Sequence, residues 1–167
     1  MKPGRLSVVG MIRLIRLMRR AKPDIVHTWM YHADLLGGLA ARFSGISKIG
    51  WGIHNSTLDP DRSKLSTRLV VKVCALLSNW VPLKILTCSE DARRVHVARG
   101  YAADKMVVVP NGIDLTQFKI DPAAKGLIRL ELGLTPDTPL VGLIGRFDPQ
   151  KNHAGFFKAM HQLHRWL

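Results

Sequence analysis

The chain has 167 residues, of which 47% are apolar and 22% are charged, a composition typical of a globular protein and not of a disordered one. Its formal net charge is +13, with most of the excess in residues 1–80, so an anionic partner such as nucleic acid, acidic lipid or a phosphorylated small molecule is expected. Charges interrupt every window of about 20 residues, and the first 20 residues lack an apolar centre, so neither a membrane-spanning helix nor a signal peptide is expected.

The first half of the chain alternates helical and extended patterns. Apolar residues at i, i+3, i+4 and i+7 predict a helix over 11–20, with arginines on another face. A short buried strand is predicted over 24–29, followed by a helix of small residues over 32–43. A second strand is predicted over 48–54, and an apolar helix over 67–80.

The same alternation continues through the middle of the chain. A third strand is predicted over 84–88, and Ser89 with two acidic residues behind it is typical of a helix N-terminus. A fourth strand is predicted over 105–109. Strands that alternate with helices at this spacing predict parallel βαβ units and an α/β fold with a doubly wound sheet.

Proline and glycine interrupt residues 110–138, where only a short helix over 123–132 is predicted, and we expect a domain boundary there. A new strand is predicted over 140–144, followed by a turn and a helix that runs to the last residue. One strand and one helix cannot complete a doubly wound domain, because both strand edges would stay unpaired. The chain also begins inside a helix, so we expect a part of a longer protein, truncated at both ends.

The turn after the last predicted strand carries the densest chemical signal. A glycine at the end of a strand lets a ligand approach the backbone, and the carboxyl ends of parallel strands are where open α/β sheets bind ligands. Gly145 holds that position, with Arg146 and Lys151 on either side of the turn. Two cations beside a helix N-terminus predict a diphosphate site. On spacing alone, a solvated basic turn remains an alternative.

Cysteine and histidine usage predict no metal site. Cys74 and Cys88 lie in apolar runs without partners at metal-ligand spacing, which indicates buried free thiols and fits a reducing cytoplasm. None of the seven histidines forms a His-x-x-x-His pattern with a nearby acid, and His161 and His164 are expected on the surface.

Two segments resemble motifs of one known family. They are Val109–Asp114 (Val-Pro-Asn-Gly-Ile-Asp) and Gly145–Asn152 (Gly-Arg-Phe-Asp-Pro-Gln-Lys-Asn). Three further segments occur in the order in which that family carries similar ones: Pro23–His27, Trp51–Ser56 and Thr87–Ala92. Over nearly its whole length the chain is similar to the retaining family-4 (group 1) glycosyltransferases.

This resemblance implies a GT-B fold, in which two Rossmann-like domains face each other. Residues 1–115 would be the remnant of an N-terminal, acceptor-side domain. Residues 116–167 would hold the linker and the first βα unit of a C-terminal, donor-binding domain. Pro110, Asn111 and Gly112 would form the interdomain hinge.

The resemblance also implies roles for single residues. Arg146 and Lys151, with Gly145, would bind the diphosphate of a UDP- or GDP-sugar without a metal or other cofactor and stabilise its developing charge. His54 would be the catalytic residue, near the sugar and the acceptor. Ser89 is a possible ligand contact besides its role as a helix cap. The family's downstream pair of glutamates and its N-terminal glycine-rich loop are absent, so the fragment itself is expected to be inactive.

The implied partners are a nucleotide sugar and a carbohydrate or lipid-linked acceptor, in the synthesis of cell-surface polysaccharide or glycolipid. The basic helix over 11–20 resembles helices that dock relatives on the inner face of the cell membrane, so a cytoplasmic protein in peripheral contact with anionic lipid is expected. A nucleic-acid-binding module is disfavoured because basic and aromatic residues are not interleaved. A non-catalytic nucleotide-sugar-binding or regulatory protein remains an alternative.

Overall fold

The computed structural model describes residues 8–55 and 64–166. The chain forms two compact units, Met1–Ile113 and Asp114–Leu167, which we call the first and second units. Ser56 of the tryptophan-containing motif lies outside the described residues. Whether the two units correspond to the two predicted domains stays a prediction.

The first unit alternates helices and strands, as predicted, with boundaries shifted by a few residues. A short 3-10 turn, Ala103–Lys105, precedes its last strand. The elements in chain order are α1 Val8–Ala21, β1 Val26–Trp29, α2 Tyr31–Phe43, β2 Ile49–Ile53, α3 Leu65–Leu77, β3 Lys84–Thr87, α4 Glu90–Val97 and β4 Met106–Val108.

The four strands form one parallel sheet in the order β1-β2-β3-β4, which confirms the predicted parallel βαβ units. Helix α2 packs directly on one face of this sheet. A Cβ added at Gly37 would lie 2.7 Å from Cγ2 of Thr28, and one at Gly38 would lie 2.6 Å from Nε1 of Trp51. Only glycine at these positions therefore lets the helix approach so closely.

The prediction of a doubly wound sheet is not met within the residues that the structure describes. A doubly wound sheet reverses its strand order at a switch point, whereas these four strands follow one another in a single direction. Because successive right-handed crossovers in one direction bring their helices to the same side, the opposite face keeps exposed side chains such as Trp29 and Val107.

The hydrophobic core lies between the sheet and its helices. Trp51, Ile53 and Ile85, from the two central strands, are completely buried there. Burial of one such aliphatic side chain stabilises the fold by roughly 1.5–3 kcal/mol. The half-buried apolar face of α1 was correctly predicted, and Met18 from that face packs against this core.

Buried polar side chains connect α2 with α4. Nδ1 of His96 donates a hydrogen bond to the carbonyl oxygen of Ala92 (2.7 Å), so Nε2 accepts one from the hydroxyl of Tyr31 (2.9 Å). Burial lowers the pKa of His96, which favours this neutral form. At the C-terminal end of α3, the hydroxyl of Ser78 accepts a hydrogen bond from the backbone amide of Ala102.

The second unit contains two helices, α5 Ala124–Glu131 and α6 His153–His164, and a 3-10 turn, Pro149–Lys151. Residues 140–144, all described, adopt no strand, so that prediction and the predicted βα unit were wrong. The segment is exposed, with Ile144 at 101% of its reference surface. An extended segment becomes a strand only when a neighbour pairs its backbone groups, and the described part of this unit has no strand to do so.

Candidate functional site

The carboxyl ends of the four parallel strands lie along one edge of the sheet. Trp29 ends β1, His54 directly follows β2, and Ser89 comes two residues after β3. Pro110 and the rest of the predicted hinge follow β4 and are exposed. The structure therefore brings the predicted residues of the first unit to the edge at which open α/β sheets bind ligands.

His54 is exposed and stacks on an aromatic side chain that sequence analysis did not identify. The ring centroids of His54 and Trp29 are 4.5 Å apart with the ring planes tilted by 45°, and the His27 ring lies 4.6 Å from that of Trp29. Trp29 is 51% exposed. These rings lie on the sheet because β2 provides glycines beneath two of them: a Cβ at Gly52 would lie 2.7 Å from the Trp29 ring, and one at Gly50 would lie 3.2 Å from the His27 ring.

The turn between β1 and α2 is strained. Met30 adopts φ 71° and ψ 152°, a conformation that residues other than glycine rarely adopt and that costs about 1–3 kcal/mol. The backbone amide of Met30 donates a hydrogen bond to the carbonyl oxygen of Gly52 (2.8 Å). This bond attaches the strained turn to the end of β2.

Asp34, in the first turn of α2, lies beneath this edge and is only 1% exposed. The hydroxyl of Thr28 donates to Oδ1 of Asp34 at 2.6 Å, whereas Oδ2 has no hydrogen-bond partner among the described residues. Burial raises the pKa of the Asp34 carboxyl to about 7, although hydrogen bonds from Thr28 and the Gly52 backbone act in the opposite direction. The sequence contained no signal that distinguished this aspartate.

Ser89 is the N-cap of α4, as predicted. Its hydroxyl oxygen accepts a hydrogen bond from the backbone amide of Ala92 at 3.1 Å, and Glu90 and Asp91 occupy the first turn. This arrangement satisfies a backbone amide that the helix leaves unpaired. A contact between Ser89 and a ligand stays a prediction.

The basic turn of the second unit is built by two side-chain caps. Oδ1 of Asp148 accepts a hydrogen bond from the amide of Gln150 (2.9 Å) and starts the 3-10 turn. Asn152 adopts the left-handed conformation, φ 51° and ψ 45°, and its Oδ1 accepts from the amide of Gly155 (3.2 Å) to start α6. Local caps therefore determine the path of the backbone around Lys151.

The three residues predicted to bind phosphate are close together along this turn. The aliphatic carbons of Lys151 lie 3.6–3.9 Å from where a Cβ on Gly145 would be. Nε2 of His153 donates a hydrogen bond to the carbonyl oxygen of Arg146 (2.8 Å), and its ring packs on Phe147 at 5.2 Å between centroids. Gly145 does not end a strand as predicted, and sequence analysis missed His153 as the residue that fixes the Arg146 backbone.

A family model described as Glycosyltransferase Family 4 matches residues 1–117, more than two thirds of the chain. The chain belongs to Glycosyltransferase Family 4. This membership confirms the family resemblance that the motifs indicated.

Two curated relatives of this family member illustrate the similarity. The UDP-Gal:alpha-D-GlcNAc-diphosphoundecaprenol alpha-1,3-galactosyltransferase of Escherichia coli is 30% identical over 153 residues, which cover 90% of the chain and 39% of the relative. A D-inositol 3-phosphate glycosyltransferase of Actinosynnema mirum is 45% identical over 159 residues, which cover 89% of the chain and 37% of the relative. The chain therefore spans about two fifths of the length of these relatives.

Solved structures show the same α/β architecture. Anabaena Alr3699/HepE in complex with UDP is 19% identical, with a TM-score of 0.77, and the match covers 91% of this chain and 40% of that one. The same protein in complex with UDP and glucose gives a TM-score of 0.71 at 18% identity, with 95% of this chain and 42% of that one covered. At these identities the likeness establishes the fold, a parallel α/β sheet of the GT-B type.

Among residues 8–55 and 64–166, no group of three or more histidine, cysteine, aspartate or glutamate side chains could hold a metal ion. No helix in the same ranges is long and apolar enough to cross a membrane.

Proposed function

We propose that this chain is part of a glycosyltransferase that moves a sugar from a nucleotide-sugar donor to an acceptor, with retention of the anomeric configuration. The observation that carries the proposal is the turn in which Lys151 packs over Gly145 while His153 fixes the backbone of Arg146. Both cations are exposed: Lys151 ends the 3-10 turn that precedes α6, and Arg146 lies just before that turn. Membership of a glycosyltransferase family supports the donor's diphosphate as the ligand of this basic turn.

On the donor side, the two cations act when the bond between the sugar and the diphosphate breaks. Negative charge then accumulates on the departing nucleotide diphosphate. Arg146 presents a planar guanidinium that can pair with two phosphate oxygens, and Lys151 presents a mobile ammonium. Positive groups placed where charge develops stabilise the transition state more than the ground state, which lowers the barrier.

On the acceptor side, His54 is the residue of the first unit best suited to contact a sugar. Its imidazole is exposed at the end of β2, and Trp29 holds the ring by stacking. An imidazole in this position can donate or accept a hydrogen bond to a sugar hydroxyl and shape the reacting face.

The donor site can be tested by isothermal titration of the natural protein and its variants with UDP and GDP. Charge-assisted hydrogen bonds contribute about 1.5–3 kcal/mol, so Arg146→Ala and Lys151→Ala should each weaken nucleotide binding by roughly tenfold or more. Lys158→Ala, an exposed lysine on α6, removes the same charge elsewhere in the unit and should leave the affinity unchanged. Unchanged affinity in both site variants, or an equal loss in the control, would contradict the phosphate site.

Sugar transfer is tested separately with labelled UDP-sugars and a polyprenyl-diphosphate-linked sugar acceptor. The Escherichia coli relative, named for a UDP-galactose donor and an undecaprenyl-diphosphate-linked acceptor, supports this choice of substrates and a place in cell-surface polysaccharide synthesis. The product should carry the same anomer as the donor, which proton NMR distinguishes. Nucleotide-sugar binding without transfer would instead support a non-catalytic, regulatory protein.

A lipid-linked acceptor also supports peripheral membrane contact on the cytoplasmic side. Helix α1 exposes Arg13, Arg16 and Arg20 on the side away from its half-buried apolar face. Each basic residue near an anionic membrane contributes about 1 kcal/mol to binding. Co-sedimentation should therefore favour anionic over neutral liposomes, and Arg13→Glu with Arg16→Glu should abolish the preference; equal binding to both liposomes would exclude it.

A further inference from the structure

We propose that Asp34 is a positioning residue, whose buried carboxyl group fixes the ends of β1 and β2 and thereby sets the stacking of His54 on Trp29. This inference deepens the proposed function, because it rests on the role proposed for His54. Asp34 lies beneath the side chains that would face a sugar on the acceptor side of the site.

The first argument is the place of the carboxyl group between the two strands. Oδ1 of Asp34 accepts the hydroxyl hydrogen bond of Thr28, the residue immediately before Trp29. The same carboxyl group interacts with the backbone of Gly52, two residues before His54. One buried side chain on α2 therefore contacts both strands, next to each member of the stacked pair.

The second argument is the strained backbone of Met30. This residue connects Trp29 to α2 in a conformation that favours glycine, and such a conformation persists only where neighbouring contacts hold it. The contacts here are the bond from the Met30 amide to Gly52 and the bond from the Asp34 amide to the Met30 carbonyl, at 2.9 Å. Strain held in this way fixes the direction in which the chain leaves Trp29.

The third argument is the chemical identity of the group. A buried oxygen without a hydrogen bond costs stability, and Oδ2 of Asp34 is in that state within the described residues. A buried polar group that costs the fold stability is typical of a functional position, not of a packing position. A carboxyl group accepts the Thr28 hydrogen bond more strongly when ionised than when protonated, so its protonation state can alter the geometry at the strand ends.

Burial raises the pKa of the Asp34 carboxyl to about 7. The titratable side chains that interact with it are Tyr31 on α2, Cys74 on α3 and Tyr101 after α4. Burial raises the pKa of both tyrosines, and raises the pKa of the Cys74 thiol to about 12, so all three stay neutral when Asp34 loses its proton. On the face toward α2, strands β1 and β2 carry no titratable side chain in their described residues.

The test is the NMR signal of the His54 ring, which the neighbouring indole of Trp29 shifts. Asp34→Asn and Thr28→Val each weaken or remove the contact between carboxyl and hydroxyl, and in both variants the His54 ring protons should lose most of that shift. Tyr31→Phe is the matched control: it removes a different buried hydrogen bond of α2, to His96, and should leave the His54 signal in place.

A pH titration separates positioning from a general structural role. In the unaltered protein the Gly52 amide signal should follow pH with a midpoint near 7, and in Asp34→Asn that transition should disappear. The proposal fails if His54 keeps its shift in both variants, or if Tyr31→Phe changes it equally. Should Asp34→Asn not fold, Thr28→Val and the titration of the unaltered protein decide.

The NMR readout involves no sugar, so it is independent of the proposed function. If the His54 signal depends on Asp34 but His54→Ala leaves sugar transfer unchanged, the role of His54 is wrong and the positioning of its ring stands. If sugar transfer depends on His54 but the NMR signal of the His54 ring is the same in Asp34→Asn, the positioning role of Asp34 is wrong and the proposed function stands.

Discussion

The two units of the chain hold their candidate site residues by different means. In the first unit, His54 is held by a contact distant in sequence. Trp29 lies 25 residues earlier, at the end of β1, and its ring packs on His54 at the end of the neighbouring strand β2. In the second unit, Arg146 and Lys151 are held by neighbours within one turn, through the caps at Asp148 and Asn152. The first arrangement depends on a buried sheet, and the second depends on local turn chemistry.

This difference determines how each site should respond to perturbation. Damage to the core of the first unit should disturb the stacked rings, because the strands that carry them are anchored there. The basic turn of the second unit should be insensitive to that core and sensitive to its own caps.

The largest effect should be a pH dependence of stability that belongs to the first unit. The pKa of Asp34 is raised by burial from 3.8 to about 7 in the folded chain. As pH rises from about 4 to 7, the unfolded chain loses this proton while the folded chain keeps it, so the fold loses stability. A shift of about three pKa units corresponds to roughly 4 kcal/mol, and the full loss is reached above pH 7.

Urea denaturation at pH 4.5 and pH 8 measures this effect. The free energy of unfolding of the unaltered protein, minus that of Asp34→Asn, should decrease by several kcal/mol between the two pH values. His96 acts in the opposite direction, since its lowered pKa destabilises the fold as pH falls below about 6.5, but it contributes equally to both proteins. A pH-independent difference would contradict burial as the cause of the Asp34 shift.

A smaller effect should come from the close packing of α2 on the sheet. Gly38→Ala places a methyl group 2.6 Å from Nε1 of Trp51, and such overpacking typically costs about 1–3 kcal/mol. Gly126→Ala in α5 is the matched control, because a Cβ there meets nothing within 4 Å. This control should instead stabilise its helix by up to about 1 kcal/mol.

Urea denaturation followed by tryptophan fluorescence compares the two alanine variants. Gly38→Ala should lower the free energy of unfolding and shift the His54 ring signal, while the NMR signals of the basic turn stay unchanged. A Gly38→Ala variant as stable as the unaltered protein would mean that the helix can move away from Trp51 at little cost.

The sequence carried enough information for the elements of the first unit. Alternating apolar runs and helical periodicities located all four strands, and Ser89 marked the start of α4 because N-caps follow local rules. The stack of His54 on Trp29 could not be predicted, since it depends on which strands become neighbours. The only available signal was the alternation of Gly50 and Gly52 around Trp51, which leaves room for rings on one face.

The wrong prediction over residues 140–144 has the opposite cause. Its apolar run has the composition of a buried strand, but a strand requires a partner that the described part of the second unit does not supply. The neighbouring basic turn was located correctly because its caps need only residues nearby in the sequence. Asp34 was missed because burial and contacts between α2 and β1 give it its importance. His153 was missed because its bond to the Arg146 carbonyl, seven residues earlier, follows no local capping rule.

The smallest effect should come from the cap of α6. Asn152 combines a left-handed backbone with a side-chain bond to the amide of Gly155. Asn152→Ala loses the cap and strains the backbone, which should cost about 1 kcal/mol, whereas Asn152→Gly keeps the left-handed conformation without strain and should cost only a few tenths. The measurement is the amide hydrogen exchange of α6, with that of α2 as the internal reference. Faster exchange in α2, or equal effects of alanine and glycine, would mean that this turn depends on more than its local caps.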